Sequence, residues 1–541
     1  MAREKMLGGN QMLGAGKRRY LKPSLIAVAL GFAAMSGFAQ APARADDTAQ
    51  QLQLLEDQIR QLQAQIDSLK KEQMKQAQAA PAKPAAIGAN NPAYGYETGG
   101  HQFGWTSADG ADSIELTGRI HIDAADYMRY RPQLNNATRT LEPFGWDARR
   151  IRLGVTGKFF SDWGYTLIGD FGGSSDSVSP YVSGAAASEF ENAFITYNGW
   201  NKGSFPVAVT VGYIDVPWVM DEATSSNDLL FMEGASAHTI ATEFGGGDQR
   251  SAIGIVSAQP RVFGGAWLTG PAAGTPHTIS TSALGATSAP AQTTVNGEAM
   301  AILGRIAGQP YTDAGSNIHV GVDAGWLMNP GATTTLVTGG ANVPYASRSL
   351  TLSDRPELRV DPTSLLSATI SNVQHGWTVG PELAGQFDQF FAQGEYYYYH
   401  VDRFTQIGQA SIPSVSFDGG YGEVSYAVGG KRKYNPGSAA YTGVIPDHPL
   451  SMSEGGGWGA VEFALKYSYV DLNSHVTDPN GIEGGIQTIV GAGINYYANT
   501  NVRMMLDYEH INLKKDPSNA NGGLFQGSNT DVLAGRFQVA W

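Results

Sequence analysis

The chain has 541 residues, 36 Lys and Arg against 49 Asp and Glu for a net charge of −13, and no Cys. The lack of thiols excludes a disulfide scaffold, a thiolate metal centre and a cysteine nucleophile, and the acidic balance removes the electrostatic basis for nucleic-acid binding. Glycine at 68 residues, aromatics at 10 % and charged residues at only 16 % describe turn-rich β structure.

Lys17, Arg18, Arg19 and Lys22 precede an apolar stretch at 25–35, which is followed by Ala43-Arg44-Ala45. This order of charge, apolar run and small residues predicts a secretory signal peptide over 1–45. The run is too short to cross a ~30 Å hydrocarbon core as a helix. Cleavage before Asp46 removes seven bases and one acid, leaving 29 bases against 48 acids and a net charge of −19. No later run of about 18 apolar residues offers a spanning helix, so membrane residence requires a barrel.

Leu52, Leu55, Ile59, Leu62, Ile66 and Leu69 are spaced alternately three and four apart, a heptad seam that predicts a periplasmic coiled coil over 46–75. Ile at one seam position with Leu at the other leans towards two strands. The same stripe would also suit a helix lying on its own protein. Residues 76–110, with Pro81, Pro84 and Pro92, read as a flexible linker.

From 111 to 541 the period is two. Ile114, Leu116, Ile120 and Ile122 alternate with Glu115, Thr117, Arg119, His121 and Asp123, and Ile151, Leu153 and Val155 alternate with Arg150, Arg152 and Thr156. A charge at every second position needs a wet face. About seventeen such segments can be traced, with 350–373 ambiguous. Aromatic clusters such as Trp163 with Tyr165 and the run Tyr396 to Tyr399, together with long Ser/Thr/Ala/Gly connections alternating with tight turns, suit an outer-membrane barrel. At the C-terminus Leu533, Phe537, Val539 and Trp541 share one face opposite Arg536 and Gln538. That predicts recognition by the barrel-assembly machinery through Trp541 and Phe537. The fold class is therefore all-β, a transmembrane antiparallel β-barrel preceded by a short N-terminal coiled-coil helix.

Several stretches resemble the phosphate-selective porin O and P family: Arg149-Arg150-Ile151-Arg152 leading into Asp162-Trp163-Gly164-Tyr165; Gly212-Tyr213-Ile214-Asp215-Val216-Pro217 with Thr224-Ser225-Ser226 and Phe231-Met232-Glu233; Arg355-Pro356-Glu357; Gly394-Glu395-Tyr396-Tyr397; and Tyr467-Ser468-Tyr469-Val470-Asp471-Leu472. The resemblance covers about 113–541. It implies a sixteen-stranded, trimeric outer-membrane channel for small hydrophilic or anionic solutes such as phosphate, with the N-terminal helix in the periplasm. It favours three chains where the seam leans towards two. It also makes the loop after the fifth strand, about 214–249, the constriction.

The charges in that loop and those on the walls point in different directions. The loop contains Asp215, Asp221, Glu222, Asp228, Glu233, Glu243 and Asp248 and no Lys or Arg, which favours a general or cation-preferring pore. The lumen-facing parity instead receives Arg119, Arg150, Arg152, Lys158, Arg305, Arg355, Arg359, Lys431, Lys466, Arg503 and Arg536, which favours anions unless these bases pair with neighbouring carboxylates. Two other functions compete. A barrel hydrolase would draw on His400, His475 or His510, but neither a Gly-x-Ser-x-Gly elbow nor a His-Glu-x-x-His pair is present. An envelope tether would use the heptad segment and keep the barrel as an anchor. Nothing in the pattern calls for a cofactor or a metal.

Overall fold

The computed structural model describes residues 103–541 except for stretches within the loops, the longest being 133–142, 173–188, 283–290, 339–347 and 516–526. Before residue 103 it describes Arg60, Gln61 and Gln63, which are helical and exposed. The signal peptide, nearly all of the heptad segment and most of the linker thus lie outside the described residues. The chain divides into two compact units, Met1–Lys83 and Pro84–Trp541.

The second unit is built on a closed ring of sixteen antiparallel strands: β1 (Ser113–Pro132), β2 (Phe144–Phe159), β3 (Trp163–Asp170), β4 (Glu189–Tyr197), β5 (Ala208–Asp215), β6 (Gln249–Ala258), β7 (Val262–Thr269), β8 (Ala299–Thr312), β9 (Ser316–Pro330), β10 (Val373–Phe387), β11 (Phe390–Arg403), β12 (Val415–Val428), β13 (Ala460–Ser474), β14 (Ile482–Tyr497), β15 (Val502–Lys514) and β16 (Ser528–Ala540). Each pairs with the next, and β16 closes on β1 through pairs such as Asp123 with Arg536. A seventeenth strand in the same sheet, Gly104–Thr106, falls in the expected linker. It pairs with residues 113–115 of β1, beyond the point where β16 stops opposite Arg119, and so supplies hydrogen-bond partners at the seam.

Alternation in the sequence becomes alternation between outside and inside. On β13, Phe463, Leu465 and Tyr467 are exposed while Glu462, Lys466 and Ser468 are buried. On β9 to β11 the exposed residues include Val320, Val322, Leu383, Tyr396 and Tyr398, and the buried ones His319, Asp323, Glu382 and Glu395. A soluble protein would turn those apolar rows inward. Apolar side chains outside and charge inside are stable only where lipid replaces water around the wall.

Short turns at one end, such as 160–162, 259–261, 313–315 and 388–389, oppose long connections at the other. The connection 429–459 breaks this rule, being long at the short-turn end. It opens and closes on Gly429 and Gly459 at φ +83° and +85°, left-handed conformations that glycine adopts without strain. The ambiguous 350–373 region is a hairpin, Ser349–Asp354 with Leu366–Ser371, outside the barrel sheet. The long connections after β7 and β9, expected as plain loops, contribute Thr278–Ser282, Ala291–Asn296 and Thr333–Thr338 to a separate three-stranded sheet.

Candidate functional site: the constricted lumen

Three connections fill the lumen. The first, 216–248 after β5, carries helices α1 (Met220–Ala223) and α2 (Ser236–Phe244). Val216, Trp218, Val219 and Met220 are at most 1 % exposed, so its apolar residues pack inside the barrel. Its backbone is fastened to the wall at many points. Met220 and Asp221 donate their N–H groups to the two Glu395 oxygens on β11 at 2.8 and 2.9 Å. Met232 donates to Asp507 on β15 at 2.9 Å, and Tyr399 on β11 donates to the Ala237 carbonyl at 2.7 Å. On β14 to β16, Asn495, Arg503 and Gln538 donate to the carbonyls of Leu230, Leu229 and Asn227 at 2.9, 2.7 and 3.0 Å.

The strongest anchor is ionic. Glu233 accepts both bonds of a bidentate pair from Arg149 at 2.9 Å, with Arg150 at 3.2 Å and Arg536 at 2.6 Å. Burial by itself would raise the Glu233 carboxyl, but the three guanidinium groups hold it well below its ordinary value. Two other acids of the loop have partners within it. Asp221 accepts from Ala235 N–H at 3.0 Å, and Glu222 meets His238. Asp228 is buried and its carbonyl accepts from Arg432 at 2.8 Å. Asp215 ends β5 with its N–H on Asn192. Asp248 lies outside the described residues.

The second insertion is the hairpin 349–371. Leu350, Leu352, Leu366 and Ile370 are buried against the inner surface, Ser353 donates to Glu243 of α2 at 2.5 and 3.0 Å, and Glu357 meets Lys466 of β13 at 2.5 Å. The third enters from the short-turn end: within 429–459, Arg432 pairs with Glu462 at 2.7 and 2.9 Å, and the carbonyls of Ser438 and Ala439 accept from Arg305 at 2.7 and 2.8 Å. The channel is therefore narrowed from both ends, and Arg432 joins 429–459 to the 216–248 insertion through the Asp228 carbonyl.

Of the eleven expected wall bases, Arg119, Arg150, Arg152, Arg305, Lys466, Arg503 and Arg536 face inward and are buried. Arg152 pairs with Asp170 at 2.7 Å and with Glu191, and Arg536 with Asp123 at 2.7 Å. Lys466 lies over the Phe231 ring at 4.4 Å. Lys158, near the end of β2, is half-buried. Arg355, Arg359 and Lys431 are not on the wall. The first two belong to the 349–371 insertion and the third to 429–459, because chain packed within the lumen alternates as a strand does. Parity reasoning also misses Arg149. Between the pairs His121 with Arg150 and Asp123 with Asp147, β2 carries one extra residue, and this bulge turns two consecutive arginines inward. The doubled Arg149-Arg150 was the available signal. Arg432 had none, since its partners lie in remote parts of the chain.

The sequence profile described as phosphate-selective porin O and P matches residues 114–541. The chain belongs to the phosphate-selective porin O and P family. It is an outer-membrane channel, and the expected family and barrel class stand. A protein of Caulobacter vibrioides described as uncharacterized is 26 % identical over 431 residues, covering 79 % of this chain and 73 % of that one. Among solved structures, the outer membrane channel DcaP of Acinetobacter baumannii is 10 % identical with a TM-score of 0.43, covering 81 % of this porin and 99 % of that chain. The anion-selective porin from Comamonas acidovorans is 16 % identical with a TM-score of 0.42, covering 80 % and 100 %.

Proposed function

We infer that this porin conducts small anions by passive diffusion, phosphate among them, along the wall formed by β1, β2 and β16. The observation that carries this reading is the fate of the constriction acids. Glu233, on the loop, is held by three arginines, so its charge is matched by the wall. On that wall Arg149, Arg150, Arg152 and Arg536 pair with Asp123, Asp170, Glu191 and Glu233. Beyond about 8 Å charges are screened at physiological salt, so these local pairs, and not the net acidity of the chain, set the field along this wall. Ser226 of the inserted loop accepts from Arg119 at 2.6 Å. Rings of charge at the narrowest section supply selectivity without covalent chemistry.

Reversal potentials in a planar bilayer under a salt gradient, with chloride and then phosphate, test this. The expected sign is anion-preferring, and Arg119→Gln with Arg150→Gln should move it towards cations. A cation-preferring wild type, or a double variant with an unchanged potential, overturns the reading in favour of the general or cation-preferring pore. The processed chain is further proposed to associate as a homotrimer, with residues 46–75 as a periplasmic coiled coil and Trp541 and Phe537 as the assembly signal. Support comes from the heptad seam and from Phe537 being 44 % exposed on the outer face.

A further inference from the structure

Half a circumference from the arginine-rich wall, β9, β10 and β11 carry Asp323, Glu382 and Glu395. Glu382 and Glu395 stand directly across the ladder from each other, and Asp323 pairs with Gly380, two residues before Glu382. One carboxylate oxygen from each lies within 4.8 Å of the others, and all three residues are buried. Like charges directly across a strand pair repel, and a low-dielectric surround amplifies the repulsion. Arg305 offsets one of the three charges through Glu382 at 3.0 and 3.1 Å, while His319 meets the same carboxylate at 3.1 Å. Glu395 accepts from the Tyr421 hydroxyl at 2.7 Å, and among the described residues neither it nor Asp323 has an ion pair.

Two unpartnered side chains, Asp323 itself and the neighbouring Tyr397, point to what balances them. Among the described residues, neither oxygen of Asp323, a residue 1 % exposed, accepts a hydrogen bond, and the buried Tyr397 hydroxyl has no partner. Gly380 provides their space. A Cβ there would stand 2.9 Å from each Asp323 oxygen and 2.7 Å from the Tyr397 ring. An ionised carboxylate buried with both oxygens unsatisfied is strongly disfavoured unless a charge of opposite sign accompanies it.

We propose that Asp323, Glu382 and Glu395 bind one divalent cation of calcium size, with the Tyr397 hydroxyl beside it. The residual charge of this cluster matches a divalent ion, and carboxylate oxygens are hard ligands. Magnesium dehydrates reluctantly and keeps several waters, whereas calcium accepts a shell of protein oxygens, so a buried cluster of carboxylates favours calcium. Glu395 also caps α1 through Met220 and Asp221, so the ion fastens the constriction loop to β9, β10 and β11. The site lies on a different wall from the proposed anion path and does not depend on it.

The test is titration of CaCl₂, and separately MgCl₂, into the purified full-length porin in neutral detergent after removal of metal with EDTA. It is read by calorimetry and by the thermal unfolding midpoint. One saturable calcium per chain is expected, at least tenfold tighter than magnesium, together with a raised midpoint and at least a tenfold loss of affinity in Asp323→Asn. Absence of saturable calcium binding to the wild type overturns the proposal, because it leaves a proton as the balancing charge. Unchanged affinity in Asp323→Asn overturns it as well. If that variant does not fold, Tyr397→Phe removes one hydroxyl and should weaken calcium binding several-fold, and an unchanged affinity there places the ion elsewhere.

Discussion

Two glutamates of the same inserted loop show how the lumen sets the charge of a side chain. Glu233 is buried among guanidinium groups and stays ionised. Glu243 is buried on α2 against Ser353, with Asp354 nearby, and burial pushes it up to about 8. Neither environment could be read from the sequence, where both are acids in a loop without bases. The wall residues were legible because each strand has two faces and the period assigns them. The bulge near Arg149 defeats the period by a single residue. The sign of the Glu243 effect follows from linkage. Its folded value lies above the ordinary value of about 4.3, so the folded protein binds more protons. The stability it contributes is complete below about pH 4 and is lost as pH rises through about 8. Glu243→Gln should flatten that slope. The midpoint difference between wild type and variant, followed by thermal unfolding in detergent from pH 4 to 9, is expected to grow with pH in the variant's favour. A constant difference would refute the assignment.

At the scale of elements, the strands were predictable and the plugs were not. Residues 350–373 alternate as well as any wall strand, yet their leucines are buried inside the barrel. Alternation states that a segment has two faces, not which surface it joins. The insertion at 429–459 carries Lys431, Arg432 and Lys433 and reads as a wet loop. Its position is set by Glu462 and Arg305, which local pattern cannot reach. Arg432 binds both Glu462 and the Asp228 carbonyl, so this insertion buttresses the constriction from the short-turn side. Replacing 430–458 by a tight turn between Gly429 and Gly459 is expected to leave the barrel closed, since β12 and β13 pair directly through Val428 and Val461. Single-channel conductance should rise at least twofold, with more current noise as the constriction loop loses its support. An unchanged conductance would mean that the narrow section lies wholly at the other end.

For the molecule as a whole, the described barrel has a complete ring of strand pairs. The Gly118 and Trp541 backbones exchange bonds at 3.0 Å where β16 meets β1, and the Asp123 to Arg536 ion pair spans the same seam inside. A Cβ at Gly118 would also meet the Trp541 indole, so the terminal residue is fitted into the closure. The strand pairs of the ring all lie within residues 104–540. The heptad segment has too few turns to associate firmly unaided, but chains already brought together by a barrel interface raise its effective concentration. It should therefore add to the stability of an assembly without creating the pore. Deleting residues 46–102 while retaining the signal peptide is expected to preserve conductance and reversal potential and to lower the temperature at which oligomers separate into single barrels. Conductance is read in planar bilayers and dissociation by unheated against heated gel mobility. Loss of conductance would make the segment part of the channel, and an unchanged dissociation temperature would return it to the alternative of a helix resting on its own chain or a tether to the cell envelope.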